Sequence, residues 1–418
     1  MYTIEYQGGV WPRTVVWLAT AVGLLASAGC LESVTRTPTP VEKINDVQQV
    51  VQVPGMLDIR AWGDEFSESF QADMVESMRQ QWAAHPERGP ANPGDYHVLA
   101  ISGGGANGAF GAGFLCGWTK AGTRPEFKLV TGVSTGALIA PAAFLGPDYD
   151  ERIKQIYTET TTKDVVTFRS VFSWLWGDSL ADTKPLQNLI EANLDEEVFA
   201  AIASEHRKGR RLYIGTTNLD AGRFVIWNMG AIADSGRPGA LELFWHVMLA
   251  SASIPVAFPP VYFEVQTGGK IYDEMHVDGG TVAQVFFYEY TLDPNDIMRR
   301  AGVSPQNQPP INLHLLYNGK LGPTPVQMRR QIPKIVARSL ETLMRARAVG
   351  DLHRIYLETK KSDANFRYID IPAGYTPQGD EVFDPKEMKR LFQVGYDMAT
   401  RTPPWRTLPP GFTEGPLP

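Results

Sequence analysis

Two apolar, β-prone runs, Tyr96–Ser102 (YHVLAIS) and Phe127–Gly132 (FKLVTG), each stop at a glycine-rich turn and lead into helix-prone residues, AFGAGFLCGWTKAG and STGALIAPAAFL. Neighbouring parallel strands need a crossover, and a helix makes one while burying its apolar face on the sheet. Two strand–turn–helix units in succession therefore predict a parallel sheet with covering helices. Further strands are expected at Arg211–Asn218 and Arg223–Met229, joined through LDAG, and at VYFEV and KIYDEMHVD, joined through Thr267-Gly268-Gly269. Both connections read as hairpin turns. Ile311–Tyr317 (INLHLLY) reads as a late strand buried on both faces. Helices are expected over Phe66–Trp82, Ala240–Ser253, Val326–Thr359 and Pro385–Met398, the last with Asp384 as N-cap and Pro385 in its first turn.

With 418 residues, 43% of them hydrophobic and ten of them tryptophan, the chain can bury a sizeable core. A net charge of −7 argues against a general nucleic-acid binder, since phosphate-backbone affinity needs clustered Lys and Arg. No Cys/His spacing resembles a metal site, and no repeat of 20–50 residues is apparent. The N-terminus carries Arg13, an apolar stretch from Val15 to Ala28, and SAGC ending at Cys30. This resembles a bacterial lipoprotein signal, which implies that Cys30 becomes the lipidated first residue of an exported, membrane-anchored protein of the cell envelope. A plain secretory signal and an uncleaved anchor are the other readings. The anchor is disfavoured because the stretch is shorter than the about 20 residues that cross a bilayer. Cys116 lies in an apolar helical stretch and reads as a small buried hydrophobe, not a nucleophile.

Three short motifs carry chemistry. In GVSTG (Gly132–Gly136), glycines two before and two after Ser134 permit a tight strand-to-helix turn that exposes the hydroxyl. In SGGGANG (Ser102–Gly108), successive glycines let backbone N–H groups approach a bound oxygen, and the following helix N-terminus adds positive potential. A dinucleotide-binding loop is the rival for that segment, but the G-x-G-x-x-G spacing fails at the turn. In DGG (Asp278–Gly280), the carboxylate could accept the serine proton directly if it is partly desolvated. Alone, each motif is as readily an ordinary turn. In order, they supply a nucleophile, a base and an oxyanion cradle.

The ordered motifs resemble those of bacterial patatin-like phospholipases. The family's oxyanion loop appears as Gly103–Gly108, its nucleophile elbow as Gly132–Gly136 and its D-G-G/A as Asp278–Gly280; ASASIPVAFPPV resembles the family's helix ending in a proline-rich turn. The likeness covers approximately residues 96–317. It implies a three-layer α/β/α fold with a mostly parallel central sheet and a Ser134–Asp278 dyad. It also implies an oxyanion hole from Gly103, Gly104, Gly105 and Ala106, a membrane-lipid ester as substrate, and no metal or other cofactor. Asn107 stands where the family's loop usually carries Arg or Lys, which leaves neutral esters and lysolipids open. The expected organisation is a signal over 1–29, a flexible tether over 30–60, an N-terminal helical extension over 61–95, the hydrolase domain over 96–400, and an irregular tail over 401–418.

Two other classes compete. An ordinary Ser-His-Asp esterase would recruit His276, His314 or His353. A catalytically idle lipid-binding envelope lipoprotein would have no need of Ser134. Residues 329–361 hold nine Lys or Arg against Glu341, Asp351 and Glu358, either a surface for anionic lipid or a solvated helix face. VFSWLWGDSL (Val171–Leu180) reads equally as a lid, an acyl-chain contact or core.

Overall fold

A computed structural model of the chain describes residues 36–44, 51–168, 181–287, 291–328, 330–378, 381, 383–401 and 404–413. Cys30, the apolar leader and the Val171–Leu180 segment lie outside the described residues. The chain divides into a unit Met1–Thr37, of which residues 36 and 37 are described, and a unit Pro38–Pro418.

Nine strands of the described residues form one sheet. They are β1 (Arg60–Trp62), β2 (Tyr96–Ile101), β3 (Leu129–Val133), β4 (Arg211–Asn218), β5 (Arg223–Asn228), β6 (Val261–Thr267), β7 (Lys270–Asp278), β8 (Ile311–Tyr317) and β9 (Asn365–Asp370). The order is β1-β5-β4-β3-β2-β8-β9, with β7 paired to β4 and β6. From β4 to β9 the path is parallel; β5, β1 and β7 join antiparallel. The two expected hairpins are present as β4–β5 and β6–β7. Gly268 and Gly269 both take positive φ (58° and 73°), the backbone that a two-residue turn with the strands' own twist demands.

Alternate residues of β2 feed two cores: Leu99 and Ile101 one, Val98 and Ala100 the other. That period of two places helices on both faces. The first core takes α2 (Gly108–Lys120), α3 (Thr135–Leu145), α7 (Ala240–Ala252) and α9 (Pro385–Thr400). On this side also lie α4 (Asp150–Glu159), α5 (Lys184–Asn193) and α6 (Glu196–Arg207). The second takes α1 (Glu68–Ala84) and the C-terminal half of α8 (Ile332–Lys361). The fold is a three-layer α/β/α arrangement around a mostly parallel sheet. Asp384 caps α9 by accepting from the Lys386 N–H at 2.9 Å, with Pro385 in the first turn. α8 begins at Ile332, six residues later than Val326, where its pattern first suggested helix. Pro333 explains this: proline fits a first turn but would clash with a preceding one.

Two boundaries need correction. Residues 30–60 are not a tether throughout, because Pro38 onward belongs to the compact unit and Val51, Met56 and Ile59 are buried. Residues 61–95 are not a separate extension either: β1 is the edge of the sheet, and α1 covers it through Phe70, Met74 and Met78. The tail has no helix among the described residues after Arg401, yet Trp405 packs against Phe114 and Trp118.

Candidate active site

Ser134 follows β3 directly and is the N-cap of α3, with φ 55° and ψ −125°. A non-glycine residue in that region costs about 1–3 kcal/mol, so the surroundings must hold it there. They do so from both sides of the turn. A Cβ on Gly132 would lie 2.5 Å from the Gly136 carbonyl oxygen, and one on Gly136 would fall onto the Ile101 carbonyl. The Ser134 N–H donates to Ser251 Oγ at 3.0 Å, and that hydroxyl donates in turn to the Gly215 carbonyl at 2.7 Å. Ser251 lies in α7, and its part in the site went unread in the sequence.

Asp278 closes β7 opposite Thr216 of β4; the adjacent residue, Gly215, is the register partner of Val133 in β3. Antiparallel pairing of β7 onto β4 thus carries the carboxylate across to the serine. The Ser134 hydroxyl lies near enough to the Asp278 carboxyl to favour its charged form. Asp278 Oδ1 accepts from the Gly280 N–H at 2.7 Å, and the Asp278 N–H donates to the Ser253 carbonyl at 2.9 Å. No cation pairs with this carboxyl among the described residues. Burial pushes its pKa up to about 7, against the lowering pull of the Ser134 hydroxyl and the Gly280 bond. A carboxyl near 7 can accept and return a proton at neutral pH.

The glycine loop turns at Gly104 (φ 157°) and Gly105 (φ 56°) into a 3₁₀ turn over Gly105–Asn107. A side chain on Gly104 would fall onto the Asn318 backbone. Asn318 holds the loop, donating from Nδ2 to the Ser102 carbonyl at 3.0 Å and accepting on Oδ1 from the Gly111 N–H at 3.0 Å. Gly103 requires a correction as an oxyanion donor. Its N–H donates to the Gln284 carbonyl at 3.0 Å, so that amide is already engaged. The N–H groups of Gly104, Gly105 and Ala106 have no acceptor among the described residues and are the donors that remain. Gln284 also binds the other half of the site, donating from Nε2 to the Gly280 carbonyl at 2.7 Å. Its own N–H donates to Asp351 of α8 at 2.8 Å.

Ser134 and Gly105 open onto a cleft walled by apolar side chains that include Leu138, Ile156, Leu186, Phe258, Phe383 and Met388. An apolar wall lowers the local dielectric and suits an acyl chain. Asn107 is exposed, at the outer end of the 3₁₀ turn, and does not line the cleft.

The three histidines considered for a triad are engaged elsewhere. His276 is buried against Thr216 Oγ1 (2.9 Å) and Glu274 (3.3 Å). His314 contacts His97 at 3.2 Å, and burial pushes it down to about 3. His353 bonds the Pro410 carbonyl at 2.7 Å. Cys116 is half-buried, with its thiol pushed up to about 12 by burial, which leaves no thiolate at neutral pH.

Several known proteins are similar to this chain. Solved structures that resemble it include VipD from Legionella pneumophila (11% identity, TM-score 0.35, 73% of this chain and 66% of that one). The type III effector protein ExoU matches at 15% identity and TM-score 0.27, over 74% of this chain and 53% of its own. Human GIVD cytosolic phospholipase A2 matches at 10% identity and TM-score 0.32, over 83% and 65%. The matches thus span between about half and two thirds of those proteins' lengths. No curated protein matches the chain in sequence. The family model of patatin-like phospholipase matches residues 99–289, a span that begins in β2 and ends just beyond Asp278. Over residues 99–289, then, this chain is a patatin-like phospholipase domain.

Proposed function

We propose that this protein is a serine-dependent lipid acyl hydrolase that cleaves carboxylic esters of phospholipids or lysophospholipids through Ser134 and Asp278. The observation that carries the reading is the strained Ser134, set beside a buried carboxyl without a cation and facing an apolar cleft. Ser134 Oγ attacks the ester carbonyl carbon as its proton passes to Asp278. The N–H groups of Gly104, Gly105 and Ala106 receive the oxyanion, each worth about 3–4 kcal/mol in related chemistry. The alkoxy bond then breaks, and the leaving oxygen takes the proton back from Asp278. Water, deprotonated by Asp278, cleaves the acyl-enzyme and releases the fatty acid. The apolar walls hold the acyl chain, and the absence of a cationic side chain at Asn107 places no demand for a phosphate on the substrate.

A panel of diacyl and lysophospholipids compared between the wild type and Ser134→Ala tests this. Fatty-acid release that persists in Ser134→Ala would refute the serine mechanism. Labelling by a fluorophosphonate separates an enzyme from an idle lipid-binding protein, which would stay unlabelled. We further propose that the protein is exported and lipid-anchored at Cys30, on the strength of the Val15–Cys30 pattern. Mass spectrometry of the mature protein should find an acylated N-terminal Cys30, and an unmodified residue 1 would sink that proposal.

A further inference from the structure

Helix α8 has an unusual relation to the body. Its C-terminal half buries Ala348, Leu352 and Ile355 in the second core. Residues seven apart share a helix face, so Arg338 and Arg345 lie in line with Leu352. Both turn toward the protein: Arg345 donates to the Leu321 carbonyl at 3.4 Å, and Arg338 donates to the Thr324 carbonyl. In the N-terminal half the apolar residues therefore occupy the opposite face. Ile332 (78% exposed), Val336, Leu340 and Leu343 (65% exposed) recur at steps of four, four and three, with Ile335 and Met344 beside them, all in solvent. Val326 and Met328 in the preceding segment are exposed as well. The apolar stripe thus changes sides along one continuous helix and covers about 20 Å of it.

We infer that the N-terminal half of α8 is the surface by which this protein docks on an anionic lipid membrane. Charge selects the occupant. Arg338 is offset by Glu341 and Arg347 by Asp351, but Arg330 and Lys334, exposed at the start of the helix, have no ion-pair partner among the described residues, within a chain of net charge −7. A helix with an exposed bulky apolar face and unpaired cations at its leading end lies in the boundary of a bilayer whose headgroups are negative. A second copy of the chain is a poorer occupant, since face-to-face contact would bring two cationic helices together. The choice of a lipid surface also rests on the lipid-hydrolase reading, because such an enzyme must reach a substrate held in a membrane. Asp351, on the same helix one turn beyond Arg347, holds Gln284 and through it both halves of the site, so the docking helix is continuous with the catalytic frame.

The test uses the full chain carrying Ser134→Ala, which leaves the vesicles intact, with and without Leu340→Gln/Leu343→Gln. Both leucines are exposed and Gln is a good helix former, so the fold is kept. Partitioning onto phosphatidylglycerol vesicles should exceed that onto phosphatidylcholine and fall at least about tenfold in the glutamine variant. Arg330→Gln/Lys334→Gln should lower the phosphatidylglycerol preference alone. Equal partitioning with and without the leucines overturns the inference. So does a dimer in solution that the glutamine variant turns into a monomer, which would make the face a self-association interface. On a Ser134-competent background, Leu340→Gln/Leu343→Gln should hydrolyse a soluble short-chain ester at the unaltered rate. Loss of all ester hydrolysis in the parent protein would count against the enzyme reading, while vesicle partitioning would still judge the docking surface.

Discussion

Two buried carboxylates four residues apart on β7 meet opposite fates. Glu274 lies against the Arg60 guanidinium, with Nη1 at 2.6 Å, and contacts His276 at 3.3 Å. Burial pushes its carboxyl up, but the Arg60 charge, aided by bonds to His276 and Arg60, brings it down to about 2. Asp278, equally removed from water, has a hydroxyl and an amide for partners, and it rises to about 7. Desolvation is common to both, so burial alone does not make a base. The presence or absence of a cation decides. A paired buried carboxylate is a structural tie, here joining β1 to the strand that carries the site. A buried carboxylate without a cation is poised to exchange a proton.

That contrast can be broken most directly at Asp278. Asp278→Asn keeps the shape but cannot take a proton, and kcat/KM on a soluble ester should fall by about 10⁴ or more. A rate near that of the wild type would show that another group is the base. Removing the cation from the other carboxylate should act on stability. Arg60→Met leaves Glu274 buried without its cation, for a loss of about 3–5 kcal/mol by chemical denaturation. Adding Glu274→Met should restore most of it; a double variant as unstable as the single one would mean that Arg60 acts by packing.

The two groups should also respond oppositely to pH. A carboxyl raised in the folded state adds stability while protonated and forfeits it as pH rises from about 4 through about 7. Asp278→Asn should therefore stabilise the fold at pH 8, on the order of 3–4 kcal/mol, with the gain fading toward pH 4. Glu274, lowered when folded, stabilises above its unfolded value and loses that contribution as pH falls toward about 2. In catalysis the same Asp278 group predicts an acid limb in kcat/KM with an apparent pKa near 7, absent from any residual rate of Asp278→Asn. The smallest effect is expected at Ser251. Ser251→Ala leaves the Ser134 N–H without its acceptor, a cost of about 1–3 kcal/mol. It should appear mainly as a lower kcat with KM little changed, since it loosens the elbow without touching the cleft walls.

Local signals in the sequence reach far into this site. The period-two runs, the turn glycines and the capping Asp384 specify strands, elbows and helix starts through short-range sterics and hydrogen bonds, and these read directly. The largely apolar INLHLLY reads as a strand covered on both faces, and every residue of it is buried. Ser134, Asp278 and the loop at Gly104 and Gly105 were legible because each needs a glycine-dependent backbone that few other segments share. β1 and β9 were not: three residues of RAW carry no period, and NFRYID is ordinary until β8 lies beside it. Nor could the sequence reveal that Gly103 has its N–H taken by Gln284, or that Ser251 and Asn318 brace the turns. Those bonds join residues separated by 36 to 216 positions.

What this sequence determined alone is the local geometry of three glycine-dependent turns and the class of sheet that presents them. What only the tertiary structure decided is their convergence and their electrostatics. β7 pairing onto β4 sets the hydroxyl against the carboxyl, the same pairing keeps Arg60 with Glu274 and away from Asp278, and α8 turns its apolar stripe outward once the body has claimed the opposite face. The physical reason is range. Dihedral preference acts over a few residues, whereas desolvation and charge pairing depend on neighbours that folding alone brings together.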